Sequence, residues 1–508
     1  MTRFPSSRNW RKARQVAGFL LLAGAWSSTA LAEATLSLRS FADSVLQTDE
    51  TLLMRRSDVG IAAADSRAAR GAFEPVGFIL GRRDRNYTQN TAQQRDQRAG
   101  TTVFNSRVTD FSAGVATRTQ TGADIEVAYR LDRYRNNLQP SSLYGREYRS
   151  VLGVAITQPL LRGAGRAVNT APIDIAEHDL RIANESMRQA LLQRLMEAVV
   201  AYLLVQEATE RVRLLQSGVE VAESLLRSAE RMTEGGMRGS GAVVEAQAFR
   251  DVRRVQLGQA RQDLLDARTA MRSLLLGEGI TGSALPAATS IGPLEPLVDV
   301  TLRVPPQDQL RETAFNLRPE VRIAAMRIAR ESLRVTIAQN QLLPQLNVTA
   351  RYDLDGLADS AGNSLDQATR GPYHVWGAGI ELRVPLQGNQ RARAELDAVR
   401  LRQEQMELAG VASRRRIANE VEATRDAALL SITQLDAQRR LLRSQQELLR
   451  FAQAQSEGGR LSSIELLRRR LDLFQAEEQL LLRRTAVIRA KYALAFTTGR
   501  LAAELQLE

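Results

Sequence analysis

The chain has 508 residues, a formal net charge of +12, no cysteine and only two histidines, His178 and His374. Without cysteine there is no disulfide staple, no thiolate chemistry and no thiol metal site. Two scattered histidines give little to histidine catalysis or zinc binding, so no catalytic residue, metal or other cofactor is expected. Five of the positive charges fall within the first 32 residues, and most other arginines alternate with Glu and Asp along helical stretches. No cationic block interleaved with aromatics is present, which argues against nucleic acid as a partner.

Residues 1–32 read as a secretory signal peptide. Arg3, Arg8, Arg11, Lys12 and Arg14 precede the apolar run VAGFLLLAGAW (16–26), and SSTALA then ends in an A-x-A site at Ala32. A membrane anchor is the competing reading, but the run is far short of the roughly 20 residues a span needs. The closest later stretch, LMEAVVAYLLVQEA (195–208), carries charges and Gln. The mature chain is therefore periplasmic, secreted, or a barrel in the outer membrane.

Residues 33–75 are helical in pattern. Strand-like runs follow over 76–160, with Val76, Phe78 and Leu80; Phe111, Ala113 and Val115; Ile125, Val127, Tyr129 and Leu131; and Leu152, Val154 and Ile156 as the apolar sides. QTGA (120–123) is a tight turn, whereas 81–107 and 132–149 are longer, polar connections. From Pro172 to about Thr233 there is one glycine and no further proline, a helix of roughly 90 Å. It ends in the Gly-rich turn EGGMRGSGAVVEAQ (234–247), and a shorter helix returns to Leu276, so 161–276 form one unit. Residues 277–307, dense in Gly and Pro, read as a linker or irregular belt.

The second half repeats this order. Residues 308–344 align without gaps on 39–75 at an offset of 269, and RVPL (383–386) matches TQPL (157–160) at 226. Helices over 308–343 lead to a hairpin over 344–386. There Leu346, Val348, Ala350 and Tyr352 share one side, and Trp376, Ala378, Ile380, Leu382 and Val384 share another, across a polar connection at 353–375. Asp353 and Asp355 read as solvated acids of that connection. A helix of roughly 100 Å spans about Gln390–Glu457, with Val421, Ala428, Leu435, Leu442 and Leu449 seven apart. Ile417 and Thr424 give way to Ser431, Gln438 and Gln445 on the partner seam. The turn EGGRLSSIELLRRR (457–470) and a return helix complete 387–499, before a tail at 500–508. The offset change means the first strand segment is 43 residues longer than the second, room for an extra hairpin.

Twelve of the 20 aromatics after residue 32 fall within 73–160 and 344–386. Aromatic girdles of a membrane barrel explain this, with Tyr129, Tyr352 and Trp376 as candidates. A half-buried soluble sheet shows the same alternation. A barrel needs about eight strands to hold a packed interior, so four to six strands per chain require several chains.

In TQPLLRGAGR (157–166) and LRVPLQGNQR (382–391), a proline stops a strand and glycine precedes a long helix. Pro159, Gly163, Gly165, Pro385 and Gly388 are thus candidate strand-to-helix elbows. A phosphate loop is disfavoured, because Val168 stands where a third glycine belongs.

The signal peptide, the duplication, NLRPEV (316–321), LLPQLNV (342–348), TQPLLRGAG and G-x-x-S-x-x-E-L-L (459–467) together resemble the TolC-type outer-membrane efflux proteins. The resemblance covers nearly all of the mature chain. It implies an α+β membrane protein: a trimeric outer-membrane β-barrel continuous with a long periplasmic coiled-coil tunnel. It also implies a passive exit duct for a tripartite efflux pump or type I secretion system. Its partners would be two further copies, outer-membrane lipid, a periplasmic adaptor and an inner-membrane RND or ABC transporter. Acids after the tip turns line the aperture in this family. By position these are Glu465 and its repeat partner Glu245, while the second acid of the pattern is replaced by Arg468, followed by Arg469 and Arg470. Family members with four strands per chain close a 12-strand barrel, and six would make 18. A periplasmic coiled-coil adaptor or scaffold is the alternative function, and an exported enzyme a third.

Overall fold

A computed structural model describes residues 35–139, 145–235, 240–275, 294–298, 300–458, 460–461 and 463–507. The expected signal peptide, most of the 277–307 segment and parts of both tip turns lie outside these residues. The elements run α1 (Leu38–Thr48), α2 (Glu50–Arg70), β1 (Val76–Gln89), α3 (Ala92–Gln97), β2 (Val103–Arg118), β3 (Asp124–Asn136), β4 (Glu147–Pro159), α4 (Arg166–Glu234) and α5 (Gly241–Leu275). The second half gives α6 (Gln307–Leu317), α7 (Pro319–Gln341), β5 (Gln345–Ala358), α8 (Ala361–Arg370), β6 (His374–Arg383), α9 (Gln390–Glu457), α10 (Ser463–Thr497) and α11 (Leu501–Glu504).

The six strands form one antiparallel sheet in chain order, β1-β2-β3-β4-β5-β6. From one end of it α4 and α9 run away with 69 and 68 residues, and α5 and α10, 35 residues each, return along them. At 1.5 Å per residue each long helix is about 100 Å. No helix among the described residues is long and apolar enough to cross a membrane.

The duplication is visible in the core. Phe41, Val45 and Leu52 of the first half are buried, and so are Leu310, Ala314 and Val321, their counterparts at the 269-residue offset. Phe41 and Val45 pack with Ala198, Tyr202, Val205 and Met271, whereas Leu310, Ala314 and Val321 pack with Ile417, Val421 and Leu494. Large apolar side chains buried this way each contribute about 1.5–3 kcal/mol. On α9, Ile417, Val421, Ala428, Ser431 and Leu435 are buried. Two of the polar seam residues find partners: Ser431 donates to the Ala428 carbonyl, and Gln438 Nε2 donates to the Ala476 carbonyl of α10 at 3.0 Å.

Several expectations are corrected. The strands reach far into the segments read as loops, with β1 extending to Gln89, β2 starting at Val103 and β5 extending to Ala358. Their outer halves are polar, so hydropathy alternation fades while the backbone ladder continues. Asp353 and Asp355 therefore lie inside β5, tied to Arg351 and Arg149. Residues of the long helix begin at Arg166, and Pro172 is accommodated in its second turn. In β1 the facing is reversed. Val76, Phe78 and Leu80 pair with Ala116, Gly114 and Ser112, on the sheet face opposite Phe111 and Val115. The run VGFIL (76–80) is apolar at every non-glycine position and has no period to decide its facing.

Candidate functional site

In its half nearer the elbow the sheet has one apolar face, and the sheet's ion pairs lie on the other. Register places Ile79, Phe111, Ala113, Val115, Val127, Tyr129, Leu152, Val154, Ala350, Tyr352, Trp376 and Ile380 on the same side. Tyr352 lies opposite Trp376, at 50% and 71% exposure in the single chain. The other face carries the ion pairs Arg82–Asp84, Arg149–Asp355, Arg351–Asp353 and Arg383–Glu381. A cleft of about 730 Å³ opens there, lined by Val108, Asp110, Asp132, Arg149, Asp355 and Leu357 among others. An apolar exterior about 25 Å tall over a charged interior is the division a membrane barrel makes between lipid and lumen.

Pro159 ends β4, and Gly163 and Gly165 follow with φ of 83° and 93° before α4. Such angles cost any residue with a Cβ about 1–2 kcal/mol, which is why glycine stands there. Hydrogen bonds fix the segment rather than leave it loose. Gly163 N donates to Asn340 Oδ1 at 2.7 Å, and Asn169 Nδ2 donates to the Gly163 and Gly165 carbonyls at 2.9 and 2.8 Å. The 120–123 turn caps the arrangement, with Gly165 N donating to the Thr121 carbonyl at 3.1 Å. In the second half Pro385 lies past the end of β6, Gly388 has φ of 75° and Asn389 φ of 51°, and Asn389 Nδ2 donates to the Gln341 carbonyl. Sequence reasoning missed Asn169, Asn340 and Asn389. Asn389 alone had a local signal, an Asn immediately before a helix, where left-handed backbone is tolerated.

At the far end Glu245 is exposed in the second turn of α5, and Glu465 lies in the first turn of α10. Arg469 donates to Glu465 at 2.9 Å, and Arg468 lies 3.8 Å from the same carboxylate. Arg469 also approaches Asp472 at 3.7 Å. The basic run thus folds back on acids of its own helix, and Glu465 is partly neutralised. Among the described residues no cluster of His, Cys, Asp or Glu is arranged to hold a metal ion.

The halves are stitched between sheet and tip. Arg211 of α4 reaches Asp263 of α5 at 3.0 Å and Glu478 of α10 at 2.9 Å. Glu207 of α4 pairs with Arg489 and accepts from Thr485 of α10. Arg330 and Arg322 of α7 reach Asp179 and Glu185 of α4.

The outer membrane efflux protein family model matches residues 124–277 and 310–500. No curated protein matches the sequence. Among solved structures, the fold is similar to the Campylobacter jejuni CmeC outer membrane channel at 14% identity and a TM-score of 0.62, covering 91% of this chain and 86% of that one. It is similar to the outer membrane protein VceC of Vibrio cholerae at 14% identity and a TM-score of 0.61, covering 91% and 96%. The open-state Neisseria gonorrhoeae MtrE outer membrane channel gives 15%, 0.60, 91% and 89%. These likenesses show the fold, and the family model accounts for most of both repeats. They displace the adaptor, scaffold and enzyme readings. The chain belongs to the outer membrane efflux protein family: it is a non-enzymatic outer-membrane channel of tripartite efflux systems, with a helical extension into the periplasm.

Proposed function

We propose that three copies of the chain assemble into one continuous exit duct. The tips of α4–α5 and α9–α10 meet a periplasmic adaptor, and through it an RND or ABC transporter of the inner membrane supplies the energy. The observation that carries this reading is the doubled path from a two-faced sheet, through a positive-φ elbow, into helices of about 100 Å. Exposed Leu401, Leu408, Val411 and Leu430 on α9 suit contacts between copies in a tunnel wall. The elbow residues Pro159, Gly163, Gly165, Pro385 and Gly388 turn the barrel into that wall. Tyr129, Tyr352 and Trp376 face lipid.

Glu245, Glu465 and Arg468 line the periplasmic aperture in this reading. With Arg469 and Arg468 against Glu465, the mouth attracts cations less than an acidic ring would. The purified protein should form trimers that conduct ions across planar bilayers and should sediment with outer membranes. A soluble monomeric pool after fractionation overturns the duct. Glu465→Ala should change conductance or its block by cations, and an unaltered conductance would remove Glu465 from the aperture.

A further inference from the structure

We infer that all six strands enter the barrel and that β6 of one protomer pairs with β1 of the next, closing an 18-stranded wall. The inference rests on the trimeric reading above and deepens it.

The described sheet is open, with β1 and β6 at its edges. Every residue of β6 is exposed, as is nearly all of β1, including Ile79 at 75% and Ile380 at 77%. Unpaired backbone cannot stand in hydrocarbon, and six strands are too few to close on themselves. The edges need a partner strand, and another copy of the chain supplies it. In an antiparallel sheet with an even number of strands the two edge strands run in opposite directions. Hence β6 can meet β1 of a neighbour antiparallel, and the same contact repeats around a three-fold axis.

The β1–β2 hairpin belongs to the wall. β2 pairs with β3 from Ser106↔Asn136 to Arg118↔Asp124, and its apolar residues continue the face of β3 and β4. The family match begins at Asp124, the first residue of β3, so this hairpin is the part the family pattern does not account for.

Geometry fixes the register. A line square to the strands runs from Val76 through Ala116, Glu126, Ala155 and Arg351 to Gly377. Six strands spaced about 4.8 Å and tilted about 35° displace that line by roughly six residues per protomer. Shifted one way, Gly377 meets position 70, before β1 begins; shifted the other, it meets Arg82. The second choice sets Ile380 beside Ile79, both on the apolar face, and Arg383 beside Val76. β6, His374–Arg383, is then paired along its whole length, with the two strands flush at the elbow end. At that tilt an 18-strand wall is about 34 Å across at the backbone, against about 22 Å for 12 strands.

The absence of cysteine makes the test direct. Ile79→Cys/Ile380→Cys in outer membranes, oxidised and run on denaturing gels, should give reducible covalent oligomers up to trimers, and neither single variant should. Within one chain the two positions are separated by four strands, too far for a disulfide. If the hairpin lies outside the wall, β3 becomes the edge and Val127→Cys/Ile380→Cys cross-links instead. That result overturns the 18-strand wall while leaving the trimeric duct intact. Native trimers that cross-link through neither pair also overturn it, and an absence of trimers on native gels overturns the duct itself.

Discussion

Arg194 on α4 places its guanidinium 3.2 Å from the carboxylate of Asp49, the residue between α1 and α2. The other half has the same contact with the charges exchanged. Arg318, between α6 and α7, is the counterpart of Asp49 at the 269-residue offset, and it pairs with Glu420, which stands 226 residues after Arg194. The backbone is the same at both breaks, with φ and ψ of −69° and 122° at Asp49 and −69° and 128° at Arg318. The duplication thus preserved an ion pair and its place while reversing its sign. The helix starts differ to match. Asp49 also accepts from Leu52 N at 3.0 Å and caps α2, a service arginine cannot perform, and α7 begins instead with Pro319.

This reversal can be tested by rebuilding one half in the image of the other. Asp49→Ala should cost roughly 2–4 kcal/mol, the sum of a helix cap and the ion pair of a buried carboxylate with Arg194. Asp49→Arg should cost more, because it sets two guanidiniums together. Adding Arg194→Glu should recover most of the loss, and adding Glu50→Pro should recover part of what the missing cap leaves. Thermal dissociation of the detergent-solubilised protein reads the series. A double variant no more stable than Asp49→Arg alone would show that the two sites are not equivalent.

The elbow glycines should rank by surroundings. A Cβ on Gly165 meets nothing within 4 Å, and one on Gly163 meets only Pro159, at 3.9 Å. Alanine at either site should therefore cost only the backbone penalty, about 1–2 kcal/mol. At Gly122 the φ of 92° is joined by a clash, since a Cβ would lie 2.3 Å from the Gly163 carbonyl oxygen. Gly122→Ala should destabilise more than either. Equal melting shifts for the three variants would contradict this ranking.

How much of this was legible in the sequence depended on whether a residue's role was local. The alternation in 125–131 and 346–352 placed both runs on one face, because each apolar residue is followed by a polar or small one. VGFIL (76–80) did not alternate, and its facing came only from pairing with 112–116. The outer strand halves, such as RRDRNYTQ (82–89), carry too few apolar residues to read as strands, and the neighbouring ladder holds them. Asn340 braces an elbow 177 residues away, a distance no spacing rule spans. The exchanged pair was within reach, since two known offsets place Asp49 on Arg318 and Arg194 on Glu420. What was lacking was the knowledge that these residues touch.

Arg253 on α5 is 3% exposed, lies between the rings of Phe249 and Phe474, and donates to Gln256 at 2.8 Å. Burial pulls its guanidinium below the ordinary arginine value, and its Nε has no hydrogen-bond partner among the described residues. The charge is held at a desolvation cost that the two ring faces only partly offset. Arg253→Met keeps the volume and should leave thermal stability unchanged or higher. Arg253→Ala opens a gap beside both rings and should cost about 2–4 kcal/mol. A loss from Arg253→Met as large as that from Arg253→Ala would mean that the charge itself is required.

The short helix α8 lies on the apolar face at the end of the sheet remote from the elbow, held by a hydroxyl chain, by close approach to a glycine, and by Gln367 Oε1, which accepts from Leu357 N at 2.8 Å. Ser150 Oγ is 2.8 Å from Ser364 Oγ and 3.0 Å from Tyr129 Oη, and both serines are fully buried. Opposite Ser150 stands Gly356, where a Cβ would lie 2.1 Å from the Ser364 carbonyl oxygen and 2.4 Å from Ala368 N. These are backbone atoms and cannot turn aside, so Gly356→Ala must lift α8 from β4 and β5. The ladder on either side of Gly356 needs no such close approach, and the sheet should persist. Ser150→Ala removes only the hydroxyl link, about 1 kcal/mol, and should loosen α8 less. Cells given external trypsin should show faster cleavage at Arg370, the exposed last residue of α8, in the order Gly356→Ala, Ser150→Ala, unaltered protein. Trimer yield should stay the same in all three. Unchanged cleavage in Gly356→Ala would show that α8 is held by something other than this contact.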